Sequence, residues 1–309
     1  MKGFKNLESI KDLYSSGGNV IQYLKELKES KRNETEDILI SYDLQSGSYI
    51  KEFSKDKEFT EKYCRALAEV IDDIPDVDSI LEVGVGEATT LSSLILNLKE
   101  RPAQIFGFDI SWSRLKFAKN ILKDFKIHGA SLFVADLFNI PLLDNSVDVV
   151  YTSHSIEPNG GKEKQALEEL FRITKKYLIL LEPSFELATN EGRSRMKSHG
   201  YVTDLLNTAR NLGYTIEDHR LFDYSKNPLN PTGIIVIKKA ATDLNIPDFI
   251  CPISRHKLYK HGESFLYSGG SLAYPILEDI PCLLSDNSIL ATHLSADYDD
   301  FKKVNNIEI

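Results

Sequence analysis

The chain has 309 residues, with 46 acidic against 37 basic side chains and a net charge of −9. That balance disfavours broad binding to a phosphate backbone, and a 42% hydrophobic content supports a proper core and excludes a disordered chain. Three widely spaced cysteines (Cys64, Cys251, Cys282) form neither a disulfide framework nor a zinc quartet, which fits a reducing cytoplasm. No stretch reads as a signal peptide or a membrane span, so a soluble cytoplasmic protein is expected.

After the breaker Gly17-Gly18, Val20, Ile21, Tyr23, Leu24 and Leu27 recur at helical spacing. The charged stretch ESKRNETED reads as a solvated turn. The segment Ile38 to Phe53 (ILISYDLQSGSYIKEF) is too rich in Tyr, Gln, Ser and Gly for a simple linker. Phe59, Tyr63, Leu67, Val70 and Ile71 mark one face of a helix that ends near Pro75.

The chain is organised around LEVGVGEATTL, Leu81 to Leu91. An apolar strand reaches Glu82, then Gly84 and Gly86 turn the chain into a helix carrying Leu91, Leu94, Ile95 and Leu98. Such a turn offers free N–H groups and a helix N-terminus to a ligand. A dinucleotide fingerprint asks for glycine at the third position after the second glycine, where Thr89 stands, and has no use for Glu82. A second buried strand, Ala103 to Ile110, ends in Asp109, about 25 residues after Gly84 and so one βαβ unit away. Ser111 suits the next helix's N-cap, leaving Asp109 to accept two hydrogen bonds from ribose hydroxyls.

Ser131 to Ala135 read as a third strand, followed by Asp136 and Leu137, and Val147 to Thr152 as a fourth. Ser153, His154, Ser155, Ile156 and Glu157 lie just past its C-terminal end, the edge where open α/β sheets bind ligands. Ala166 to Pro183 give a helix and a fifth strand whose final acid, Glu182, is expected to face the same crevice. Ser184 to Tyr201, with Arg193, Arg195 and His199, is polar and longer than a simple connection, as a segment shaping an acceptor pocket would be. A further helix (Val202, Leu205, Leu206, Ala209, Leu212) and two strands, Tyr214 to Tyr224 and Gly233 to Lys238, complete the pattern, and Ala240 to Phe249 reads as a linker.

The run acid–x–Gly–x–Gly at Glu82, Gly84 and Gly86, with Asp109 and Asp136 after it, resembles the class I seven-stranded S-adenosylmethionine (SAM)-dependent methyltransferases over roughly residues 38–240. Ala88 replaces the third glycine of that motif. The resemblance implies an α/β fold: a doubly wound, seven-stranded, mostly parallel sheet with an N-terminal helical lid (1–55), a methyltransferase domain (56–240) and a small C-terminal accessory domain (249–309). It implies SAM as cofactor, with Tyr42 and Tyr49 in the lid and Glu82 relaying bonds from the amino group. It puts Gly84 and Gly86 at the methionine end, Asp109 on ribose, Ile110 packed on adenine, and Asp136 and the Leu137 N–H bonding adenine. Ser153 is counted with the cofactor wall. His154 is the candidate base, with Glu157 orienting it or an acceptor amine and His199 a further catalytic candidate.

CPISRHKL and SLAYPILEDIPCLL resemble the small activator domain that partners tRNA, rRNA and release-factor methyltransferases. Ser254 replaces that family's second cysteine and the later pair is lost, so no structural metal is expected. The acceptor is expected to be an N or O atom of a small molecule, an amino-sugar or sialic-acid-like sugar of a surface-glycan pathway being the class the YDLQSGSYI segment resembles. Nucleic acid and membrane are disfavoured, and a homo-oligomer is compatible. The alternatives are an RNA or protein methyltransferase, which SHSIEP in place of an Asn-Pro-Pro-Tyr-like motif disfavours, and a catalytically silent scaffold, which the intact acids and glycines disfavour.

Overall fold

The computed structural model describes residues 4–30, 33–240, 245–296, 298–305 and 307. Four of the residues read as a linker, 241–244, lie outside them. Five helices precede the sheet: α1 (Leu7–Ser15), α2 (Val20–Lys28), α3 (Thr35–Leu44), α4 (Ser48–Lys55) and α5 (Lys57–Asp72). Ile10, Val20, Leu24 and Ile40 bury against one another, so the helices α1 to α3 carry a small core of their own. The segment Ile38 to Phe53 comprises parts of two helices joined at Gln45–Gly47, where Gly47 adopts φ 89°.

The central sheet has strands β1 (Ser79–Val83), β2 (Gln104–Asp109), β3 (Ala130–Val134), β4 (Val147–Ser153), β5 (Thr174–Pro183), β6 (Thr215–Leu221) and β7 (Thr232–Lys238). Their order is β3-β2-β1-β4-β5-β7-β6, with only β7 antiparallel to its neighbours. Between them run α6 (Thr89–Asn97), α7 (Trp112–Asp124), α8 (Glu163–Ile173), α9 (Asn190–His199) and α10 (Leu205–Asn211). The order reverses between β1 and β4, so the C-terminal ends of these strands open a crevice. β1 reads SILEV and is buried on both faces, as a central parallel strand must be. One apolar cluster lies on each face, holding Leu67, Leu91 and Leu115 on one side and Leu167, Leu170 and Leu205 on the other.

Asp148 fixes the start of this centre. Its Oδ2 accepts from the Asp78 and Ser79 amides and from Ser79 Oγ, each at 3.0 Å, tying the entrance of β1 to β4.

The C-terminal unit is a second, antiparallel sheet of β8 (Tyr259–His261), β9 (Phe265–Tyr267), β10 (Leu272–Leu277), β11 (Ile280–Pro281) and β12 (Ile289–Leu290), followed by α11 (Tyr298–Asn305). It docks on the β3 edge of the large sheet. The Leu283 amide donates to the Val134 carbonyl at 2.9 Å, and Phe249 sets its ring edge against Phe133 at 5.0 Å. Cys251, Leu258, Tyr274 and Leu283 join the same apolar cluster as Leu142 and Phe133. Lys116 and Lys119 of α7 pair with Glu278 and Asp279. The Cys251 sulfur accepts from the Ser254 amide at 3.3 Å and lies 3.2 Å from the Tyr274 hydroxyl. Among the described residues, the one group with metal-ligand proximity is Glu34, Glu36 and Asp37, and Lys28 lies among these acids with contacts of 2.6 to 3.1 Å.

Candidate functional site

The glycine turn is built by strand β1 and closed by backbone bonds. Val85 N donates to the Phe108 carbonyl at 2.8 Å, and Ala88 N to the Val85 carbonyl at 2.9 Å. Gly84 and Gly86 adopt φ 65° and 53°. A Cβ at Gly84 would collide with Ser155, and one at Gly86 with the Arg114 guanidinium, so both positions need glycine for space as well as conformation. Ala88, where the motif has its third glycine, also takes a left-handed conformation, φ 56° and ψ 25°. That costs an L-residue about 1 to 2 kcal/mol, offset by burying its methyl in the core.

Above the turn lies a cavity of about 780 Å³, part of it open to solvent. Its walls include Tyr42, Tyr49, Gly84, Asp109, Ile110, Asp136, Leu137, Ser153 and His154. The structure therefore gathers nine of the residues singled out from sequence around one space. It also brings in Ser155, placed from sequence at the ligand edge after the fourth strand, and residues the sequence did not flag: Thr35, Phe108, Arg114 and Phe138.

Four of the singled-out residues stand behind or beside that space. Glu82 is 3% exposed and accepts the Tyr151 hydroxyl at 2.9 Å; burial pushes its carboxyl up to about 8. Gly86 is covered by Arg114. Glu157 and His199 line a second, wider crevice of about 1,720 Å³, together with Tyr14, Gln45 and Tyr201. The two spaces share Tyr42, Tyr49 and Pro158 as walls. Glu182, expected to face the crevice, instead turns to the backbone and accepts the amides of Ser155, Ile156 and Glu157 at 3.0 to 3.1 Å. Burial pushes its carboxyl up to about 7. The cause is local: His154 takes φ 55°, folding the chain so that three successive amides point at β5.

Asp109 is nearly buried at the end of β2. Its Oδ2 accepts Gly86 N at 3.0 Å and its Oδ1 accepts Ser111 N at 2.9 Å, so it locks glycine turn and helix α7 together while facing the cavity. Ser111 caps α7 through Arg114 N and also donates to Asp43 at 2.6 Å, binding α3 to the site. Glu87 accepts Gly47 N and Ile50 N, each at 2.8 Å, which holds the start of α4, and with it Tyr49, over the turn. Asp136 accepts Phe138 N at 3.0 Å, and burial raises its carboxyl.

His154 has both ring nitrogens engaged, Nδ1 with Glu157 at 2.7 Å and Nε2 with Thr232 Oγ1 at 2.8 Å. Burial disfavours charge on both members of the pair, but their mutual hydrogen bond prevails: His154 is raised and Glu157 lowered. Asn230 also donates to Glu157, at 3.3 Å.

Residues 75–220 match the family model described as a methyltransferase domain. No curated protein matches the chain in sequence. Among solved structures the chain is similar to a SAM-dependent methyltransferase from Aquifex aeolicus, with 17% identity over 56% of this chain and 88% of that one and a TM-score of 0.42. It is similar also to magnesium protoporphyrin IX methyltransferase from Synechocystis PCC 6803 with bound SAH, at 14% identity over 65% and 99% with a TM-score of 0.49. A chain of the Haloferax volcanii complex containing the Trm112 methyltransferase activator gives 16% identity over 63% and 97%, with a TM-score of 0.49. The assignment rests on the family match and the site, not on these distant likenesses. Residues 75–220 form a methyltransferase domain, and SAM is the cofactor we propose for it.

The cavity suits this cofactor. Ser155 and Arg114 line it, and their Oγ and Nε are buried without a hydrogen-bonding partner, as atoms reserved for polar groups of a ligand would be. Phe108, Ile110 and Leu137 supply apolar walls.

Proposed function

We propose that the enzyme methylates a nitrogen or oxygen atom of a polar small molecule that enters through the wide crevice. The observation that carries this reading is the continuity of that crevice with the cofactor cavity across Tyr42, Tyr49 and Pro158. Its lining is mostly neutral and hydrogen-bonding, with Asn19, Gln22, Ser41, Gln45 and Tyr201. Together with the net charge of −9, this supports a small acceptor over RNA. An amino-sugar or sialic-acid-like acceptor is the class we propose first, since such a molecule presents hydroxyls and an amine to these side chains.

In this reading SAM supplies the activated methyl group, and the protein's work is binding, alignment and handling of the acceptor's proton. Asp109 holds ribose, Asp136 and the Leu137 N–H read adenine, Ile110 and Ser153 complete the wall, and the Gly84–Gly86 turn receives the methionine end with Glu82 behind it. His154 faces the cavity with Glu157 at its back. To take a proton, its Nε2 must exchange the Thr232 hydroxyl for the acceptor, a motion that Glu157 steadies through Nδ1. His199, bonded to the Arg195 carbonyl at 3.0 Å on the crevice rim, serves acceptor binding better than proton transfer.

We propose further that residues 249–309 act as a built-in counterpart of an activator subunit, holding the β3 edge without a metal. The experiment for the acceptor class is incubation with methyl-labelled SAM and a metabolite extract, followed by separation of small molecules, RNA and protein. Label in the small-molecule fraction, lost with His154→Ala, is expected. Label confined to RNA or protein would overturn the proposal.

A further inference from the structure

Arg114 is the one arginine or lysine among the described residues lining the cofactor cavity. It stands on the first turn of α7, and its side chain is 7% exposed. The guanidinium lies over Gly86, where a Cβ would collide with it. The Tyr49 ring covers it at 4.4 Å and the Tyr42 ring approaches at 5.3 Å. Asp109 balances its charge from one side only, with Nη1 3.6 Å from Oδ2 and so beyond a normal hydrogen bond. Nε is buried and has no acceptor at all. A buried, charged N–H without an acceptor is costly to keep and marks a place where a partner belongs.

SAM carries one anionic group, the carboxylate of its amino-acid end. The cavity's acids, Asp109 and Asp136, repel a carboxylate, and an anion taken from water into such a space is held best where a cation meets it. Arg114 is that cation, held beside the glycine turn and stiffened by two aromatic faces so that its planar fork is already oriented. We infer that Arg114 receives the carboxylate of SAM, with Nε as one of the donors, and that it is the residue by which this enzyme distinguishes cofactors with a carboxylate from those without. This rests on the cofactor assignment alone and is independent of the acceptor.

Calorimetric titration with SAM and with decarboxylated SAM tests it, in wild-type protein and in Arg114→Met and Arg114→Lys variants whose folding is checked by circular-dichroism melting. Wild-type protein should prefer SAM by about 30-fold or more, as a charge-assisted pair predicts. Arg114→Met should lose that factor for SAM while binding decarboxylated SAM within about threefold of wild type. Arg114→Lys should fall between, since it keeps the charge but not the fork. If the Met variant does not fold, the Lys variant decides, with SAM weakened and decarboxylated SAM unchanged as the expected result. Equal weakening of both ligands would make Arg114 a packing residue around Asp109 and overturn the inference. So would a wild-type protein that binds both ligands alike. Wild-type protein that binds neither would overturn the cofactor assignment itself, and this inference with it.

Discussion

Glu82 is a buried acid whose carboxyl sits at about 8, against 4.5 for an ordinary glutamate, because burial penalises its charge. A carboxyl raised on folding favours the folded state at low pH, and that contribution is lost as pH rises through about 8. Wild-type protein should therefore melt at progressively lower temperature between pH 5 and 9. Glu82→Gln, which keeps a partner for Tyr151, should flatten part of that decline and melt higher at pH 9 by on the order of 3 °C. Glu182, at about 7, titrates in the same window and accounts for the remainder. A melting curve with the same pH slope in both proteins would contradict the burial argument.

His154 gives the opposite sign in the rate. A base acts when neutral, and the Glu157 partner raises His154 above its ordinary 6.5. With a known acceptor, kcat/KM should rise with pH through a value above 6.5, and Glu157→Gln should move that limb to lower pH while leaving SAM affinity nearly unchanged. An unmoved limb would show that Glu157 does not tune the histidine. The positions of the motif residues were legible from local spacing: Gly84, Asp109 and Asp136 fall at or just past the C-terminal ends of β1, β2 and β3 and line one cavity. Arg114 was not legible, because nothing near it in the chain shows that Tyr42 and Tyr49 will cover it.

Among elements, the α3–α4 pair shows where sequence reading reached and where it stopped. The Tyr-rich composition of Ile38 to Phe53 pointed to a lid, and the two tyrosines do line the cavity. Its division into two helices was hidden, because α3 has hardly any apolar asymmetry and its register is set by partners far along the chain. Asp43 bonds Ser111, 68 residues on, and Glu87 reaches back 40 and 37 residues to Gly47 and Ile50. Glu87, next to the glycine turn in sequence, clamps α4. Removing it deletes two charge-assisted bonds of about 1.5 to 3 kcal/mol each in gross terms. Glu87→Ala should speed amide exchange at Gly47 and Ile50 and weaken SAM binding by roughly tenfold, with the large sheet still protected. Unchanged exchange at those amides would refute the clamp.

At the scale of the whole molecule, the alternating strand and helix patterns placed the strands of the large sheet along the chain, but not their order in the sheet and not the attachment of the C-terminal unit. Sequence suggested a small accessory unit behind a linker. The structure gives it a shared core, with Leu283 fully buried and its amide bonded to Val134. Leu283→Ala should cost about 2 to 5 kcal/mol and lower a single cooperative melting transition of the entire chain. A separate transition that moved by itself would mean an independent unit. The flap of α3 and α4 and the large sheet converge on one cavity, so the central claim is that SAM binds there through Asp109 at the end of β2. Calorimetric titration of SAM into wild-type protein and into Asp109→Ala tests it most directly. Saturable binding by wild-type protein, weakened about tenfold or more in the variant by loss of charge-assisted hydrogen bonds, is the expected result. Affinity unchanged within about twofold, or no binding by the wild type, would contradict it.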